Sequence, residues 1–200
     1  GNAALGANTT GSSNTAVGYH AFTTLTTGIY NTAFGTFAGR YLTTGSDNTF
    51  LGYEAGITAT TCEDNTGVGT SALRLTTTGC CNVSVGFQSM LANTTGDSNT
   101  ASGWNVMAGN TTGGSNVAMG RNALGANTTA SYNTAVGTYS GDAITTGANN
   151  VAVGYAALST CTTAGSNTVV GNAAMANSTS ASGCVAIGGG AFGGAATTGA

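Results

Sequence analysis

The 200-residue sequence contains no proline and no lysine, a single histidine and a single tryptophan, and only 4% of its residues are charged. An ordinary globular enzyme carries a surface of interspersed charges of both signs, so that class is disfavoured at the outset. The only cations are Arg40, Arg74 and Arg121, and the acids Asp47, Glu54, Glu63, Asp64, Asp97 and Asp142 are scattered along the chain. With neither a basic track nor an acidic tail, nucleic-acid binding is not expected. No apolar run approaches the roughly 20 residues that carry a helix across a bilayer.

What the chain does contain is a strict register. Gly1, Gly18, Gly35, Gly52, Gly69, Gly86, Gly103, Gly120, Gly137, Gly154, Gly171 and Gly188 stand seventeen residues apart without insertion or deletion. Four residues before each marker comes asparagine, at Asn14, Asn31, Asn48, Asn65, Asn82, Asn99, Asn116, Asn133, Asn150 and Asn167, with Cys184 as the one substitute. Eight residues after the marker a threonine recurs from Thr9 to Thr179, usually followed by a second threonine and then Gly or Ala. A fixed period of this kind excludes the disorder that a polar, glycine-rich composition would otherwise suggest.

Seventeen residues are too few for a helical hairpin, and Thr, Val, Asn and Gly are poor helix formers. The segment Thr15-Ala16-Val17 reads instead as a short strand, with Thr15 and Val17 on one side and Ala16 on the other. The expected fold is all-β: a solenoid of about twelve coils, one array over residues 1–200, with like residues stacked in columns about 4.8 Å apart. The column Val17, Phe34, Leu51, Val68, Val85 is expected as an interior seam. A second apolar column, Leu5, Phe22, Leu73, Met90, Met107, Leu124, Leu158, Met175 and Phe192, is interrupted by Gly39, Gly56 and Gly141. The asparagines are expected at a left-handed corner, their amides bonding to the coils above and below. The marker glycines from Gly18 to Gly188 supply a second corner.

So thin a coil leaves Ala and Gly on its outside, and three copies around a common axis would hide that surface. A homotrimer is therefore expected, with a monomeric solenoid as the alternative.

The unit N-T-A-V-G-Y-x-A with its T-T-G spacer (Asn14 to Gly28, Asn133 to Gly147, Asn150 to Ala164) resembles the repeat of bacteriophage tail-fibre proteins. It is also similar to the β-roll head repeats of trimeric autotransporter adhesins. The resemblance implies an elongated, trimeric, extracellular structural or adhesive segment on a virion or cell surface, an excerpt of a longer fibre. The partners it implies are other copies of the chain and a host-surface glycan or protein, with no cofactor. Where such fibres carry a chaperone, tip or anchor segment, none is visible here, so host binding is not assigned to these residues.

Candidate chemistry is sparse. His20 has no partner at a fixed spacing, and neither a zinc pattern nor a nucleophile, base and orienter set recurs, so no catalysis is expected. Asp47 falls one period before Asp64, beside Glu63, where carboxylates would repel or share a cation such as Ca²⁺; solvated loop acids are the plainer reading. Cys62 and Cys80 lie in adjacent coils one step out of column and form the best disulfide candidate among the five cysteines. Asn8, Asn93, Asn110 and Asn127 are Asn-x-Ser/Thr acceptors in one column, a possible row of glycans. Aromatics after the marker (Tyr19, Tyr53, Phe87, Trp104, Tyr155) either stack on sugars or cover a seam between chains. Ice binding is a rival function, although adjacent threonines such as Thr26 and Thr27 point to opposite faces and offer no obvious two-column array.

Overall fold

In a computed structural model, which describes residues 1–193, the chain is an all-β solenoid. Eleven three-residue strands, β1 (Thr15–Val17), β2 (Thr32–Phe34), β3 (Thr49–Leu51), β4 (Thr66–Val68), β5 (Val83–Val85), β6 (Thr100–Ser102), β7 (Val117–Met119), β8 (Thr134–Val136), β9 (Val151–Val153), β10 (Thr168–Val170) and β11 (Val185–Ile187), form one sheet in sequence order. Every pairing is parallel and in register at seventeen residues, as in Thr15 with Thr32 and Val17 with Phe34. β-Branched residues at strand positions one and three favour the extended backbone, and the marker glycine ends each strand.

The rest of the coil is turn, built on left-handed residues that recur in columns. They lie two residues after the marker (His20, Phe37, Glu54), four after it (Phe22, Leu73, Met90) and five before it (Tyr30, Asp47, Asp64). Such conformations are costly for side-chain-bearing residues and persist only where surrounding bonds hold them. Here the holding bonds run both ways along the stack. The Phe37 N–H donates to the Tyr19 carbonyl of the preceding coil at 2.9 Å, whereas the Phe22 N–H donates to the Ala38 carbonyl of the following one at 3.1 Å.

Two expectations are corrected. The asparagines are not the left-handed corner; the residue before each one is, as at Ser13, Tyr30 and Asp47. That turn swings the Asn side chain inward. The column from Val17 to Val85 is not interior either: Val17 is 44% and Phe34 59% exposed, while Ala33 and Phe50 in the strand centres are fully buried. The strand alternation is as read, but its faces are exchanged, because the wall opposite the strand already fills the thin interior. Phe22, Leu73, Met90, Met107, Leu124, Leu158 and Met175 come from that wall and are completely buried, leaving room for small residues at the strand centres.

The exceptions prove the volume argument. Gly39 and Gly56 interrupt the wall column where Phe50 projects from the strand centre, and a Cβ on Gly56 would lie 2.6 Å from the Phe50 Cζ. The Phe50 and Phe22 rings meet edge to face at 6.5 Å. One large side chain thus replaces two missing ones at near-constant packing density.

Candidate functional site

The interior carries a polar spine beside its apolar columns. Asn31, Asn48, Asn65, Asn82, Asn99, Asn116, Asn150 and Asn167 are fully buried. Each of these amides but that of Asn167 serves at least three neighbours: the Asn48 Nδ2 donates to Asn31 Oδ1 at 3.1 Å and to the Cys62 carbonyl at 2.8 Å, while Asn48 Oδ1 accepts the Asn65 N–H at 3.1 Å. The first threonine of each pair forms a second ladder, its hydroxyl donating to the next coil's carbonyl, as from Thr26 to Thr43 at 3.0 Å. The second threonine (Thr27, Thr44, Thr61, Thr95, Thr112) is exposed.

The row of glycosylation acceptors is overturned for three of its four members. Asn8 is exposed, but Asn93, Asn110 and Asn127 are completely buried. Their column is the one that holds Leu25, Leu42 and Ile144, so it faces the core. The amide nitrogens are spent inside: Asn110 Nδ2 donates to Asn93 Oδ1 at 2.8 Å and to the Gly113 carbonyl at 2.9 Å. No transferase reaches a nitrogen so placed.

The Cys62–Cys80 disulfide is also overturned, all five cysteines being free. Consecutive columns point in opposite senses here, so the one-step offset separates the two thiols instead of joining them. Cys62 points inward, where its Sγ donates to Asn48 Oδ1 at 3.7 Å and burial pushes the thiol up to about 12. Cys80 is half-buried on the outer column; its N–H donates to Asp97 Oδ1 at 2.7 Å. His20 is a packing residue, its Nδ1 3.1 Å from Thr23 Oγ1 and its ring edge-on to Tyr19 at 4.2 Å.

Among the described residues no group of three or more His, Cys, Asp or Glu is arranged to hold a metal ion. Asp142 is half-buried, its Oδ1 has no partner, and burial raises its pKa above the ordinary carboxylate value. A raised folded-state pKa means that the native chain holds this proton more tightly than the unfolded one, so stability falls as pH rises past the unfolded value. Asp142→Asn is expected to stabilise the chain at neutral pH, with the gain vanishing on acidification. Denaturant unfolding at the two pH values measures it, and a gain that survives in acid would refute the assignment. Glu54 shows the opposite sign, its pKa held down by the Arg74 guanidinium at 2.7 Å.

The feature with most capacity for recognition is the outward face of the sheet. Its middle lies in the third strand position, where Val17, Phe34, Leu51, Val85, Met119, Val170 and Ile187 are all exposed by more than a third. Beside it runs the first strand position, Thr15, Thr32, Thr49, Thr66 and Thr100 alternating with exposed Val83, Val117, Val151 and Val185. The array is therefore two columns wide. Eleven strands at about 4.8 Å by three residues at about 3.3 Å make a strip of roughly 500 Å², shared between apolar residues and threonines and as large as the patches that are often functional on monomers. One long edge carries the exposed rings Tyr19, Tyr53, Phe87, Trp104 and Tyr155, with Phe87 and Trp104 stacked at 8°.

Sequence reading found this face but assigned it to the interior; the aromatic edge it found in place. Fold and face together define the class: a parallel β-solenoid repeat protein with an unpartnered, largely apolar sheet. No protein-family model, curated protein or solved structure matches the chain.

Proposed function

We propose that this chain is a structural and adhesive segment of an extracellular fibre, of the kind that forms the shaft or head of a phage or viral tail fibre. It assembles as a homotrimer through the outward sheet face. The observation that carries the reading is the outward column from Val17 to Ile187, apolar at every level but Ser102 and exposed at seven of its eleven positions, which gains about 25 cal/mol for each Å² of apolar surface removed from water. A flat strand face also lets three rods approach along their whole length, which a curved or charged surface would not. The segment acts by stiffness and reach, holding an attachment site away from a particle or cell, with a surface glycan or protein as the distal partner. A bacterial adhesin head is the same reading in another setting.

Light scattering with electron microscopy of the purified chain is expected to give three times the chain mass and a rod of threefold cross-section. A slim monomer would sink the trimeric reading. Such a monomer would favour ice adsorption instead, because the two outward columns of Thr and Val supply the regular array that Thr26 and Thr27 do not. Thermal hysteresis is the deciding assay in that event.

A further inference from the structure

The few charges of this chain are sorted. The two columns just before each strand hold Asp47 and Asp64, and beside them Glu63 and Asp97, all exposed. That is four of the six acids of the sequence, along one long edge of the outward sheet face. The opposite edge receives every cation. Arg121 follows the marker glycine directly and lies over the Tyr139 ring at 4.8 Å. Arg40 lies between the Phe37 and Tyr41 rings at 5.0 Å from each, and Arg74 reaches Glu54, so both guanidiniums border the column two residues past the marker. The sheet face is thus bordered by an acidic rim on one side and an arginine-aromatic rim on the other, where Glu54 is neutralised by Arg74 and Asp142 is half-buried.

We infer that the partner on this face is a second copy of the chain lying parallel and in register, its arginine rim against the acidic rim of the first. The inference rests on the fibre reading and adds the direction, the register and the pairing. Rotation about the fibre axis, by any angle that closes a ring, carries the acidic edge of one copy onto the arginine edge of the next. An antiparallel copy would set acid against acid and arginine against arginine.

A ring closed by rotation alone leaves no slide between copies, and the heights along the stack fit that register. Arg40 follows β2 and Asp47 precedes β3; Arg74 follows β4, which Glu63 and Asp64 precede; Arg121 follows β7 and Asp97 precedes β6. Every arginine is therefore within one coil, about 4.8 Å, of an acid on the facing rim. The offsets run up by one, zero and down by one. Arg74 keeps donors free beyond its bond to Glu54, since a guanidinium carries five and this side chain is 40% exposed.

Rim pairs of this kind steer and orient more than they bind, and the apolar strip supplies the affinity. They answer why a chain with so few charges places them so unevenly.

The test uses the whole chain and the Arg40–Asp47 pair, because neither side chain makes a structural hydrogen bond. Arg40→Asp is expected to weaken association on the order of tenfold, the pair recurring at each interface of the ring. Arg40→Asp combined with Asp47→Arg restores it, because the exchange returns opposite charges to facing rims. Wild-type association also weakens as salt is added. Sedimentation gives the constants, and circular dichroism checks that each variant keeps its fold. Association indifferent to both variants, or a double variant no better than the single one, overturns the rim pairing while leaving a trimeric fibre standing. A wild-type chain that stays monomeric overturns both.

Discussion

Replacing Asn99 by alanine is expected to remove roughly 3–6 kcal/mol of stability, because the change removes four buried hydrogen bonds at once and leaves one buried N–H without a partner. Asn99 Nδ2 donates to Asn82 Oδ1 at 3.1 Å and to the Gly113 carbonyl at 2.9 Å, and its Oδ1 accepts both the N–H and the Nδ2 of Asn116 at 3.0 Å. Truncation orphans the Asn116 N–H in the core, at about 1–3 kcal/mol, and takes one bond each from the Gly113 carbonyl, which Asn110 still holds, from Asn82 Oδ1 and from Asn116 Nδ2, at about 0.5–1.5 kcal/mol apiece. The damage also spreads, since the coils above and below lose the bond that sets their spacing. Thr112→Ala is the control: this exposed threonine makes no side-chain bond, and its loss should stay within about 0.5 kcal/mol. Denaturant unfolding of both variants decides the matter, and an Asn99→Ala loss as small as that of Thr112→Ala would remove the spine from the account of stability.

Gly137→Ala is expected to be as severe, for a geometric reason. Gly137 has φ of +132°, a backbone state reserved almost entirely for glycine, which alone costs about 1–3 kcal/mol for another residue. An added Cβ would also lie 2.7 Å from the carbonyl carbon and 3.3 Å from the Cα of Gly154, and stacked backbone cannot give way. The sum reaches at least about 3 kcal/mol, enough to open the stack between two coils. Gly188 separates the two contributions. Its φ is +119°, yet nothing lies within 4 Å of its Cβ position, so Gly188→Ala should incur strain without the clash. Thermal melting is expected to show a much larger drop for Gly137→Ala, and equal drops would mean that strain alone accounts for the glycine column.

The period made the solenoid legible from sequence, because parallel stacking in register at seventeen residues leaves no freedom in strand order. What it did not reveal was which side of each column faces inward. Val17, Phe34 and Leu51 form the most apolar strand column, and in a larger domain apolarity would decide the matter. In a coil this narrow, volume decides first, and Ala33, Gly67, Ser84 and Ala101 take the interior because Phe22, Leu73 and Met90 occupy it from the other wall. The Asn93, Asn110 and Asn127 column carried a usable signal, since the same position is Leu25, Leu42 and Ile144 elsewhere in the array. A column that alternates amide with branched aliphatic is a core column, whatever tripeptide follows it. The charged rims were invisible because acids and arginines far apart in sequence share an edge only once the coils are stacked.

The uninterrupted stacking also makes the rod a ruler. Each coil bonds only to its two neighbours, through the same carbonyls and amides at every level, so a duplicated or deleted coil need not disturb those beyond it. An in-frame duplication in the gene would lengthen the object by one step of about 4.8 Å, and a deletion would shorten it by the same amount. Slippage during copying thus becomes a way of adjusting the length of the rod in fixed increments, with side-chain contacts changed only where the inserted or lost coil meets its neighbours.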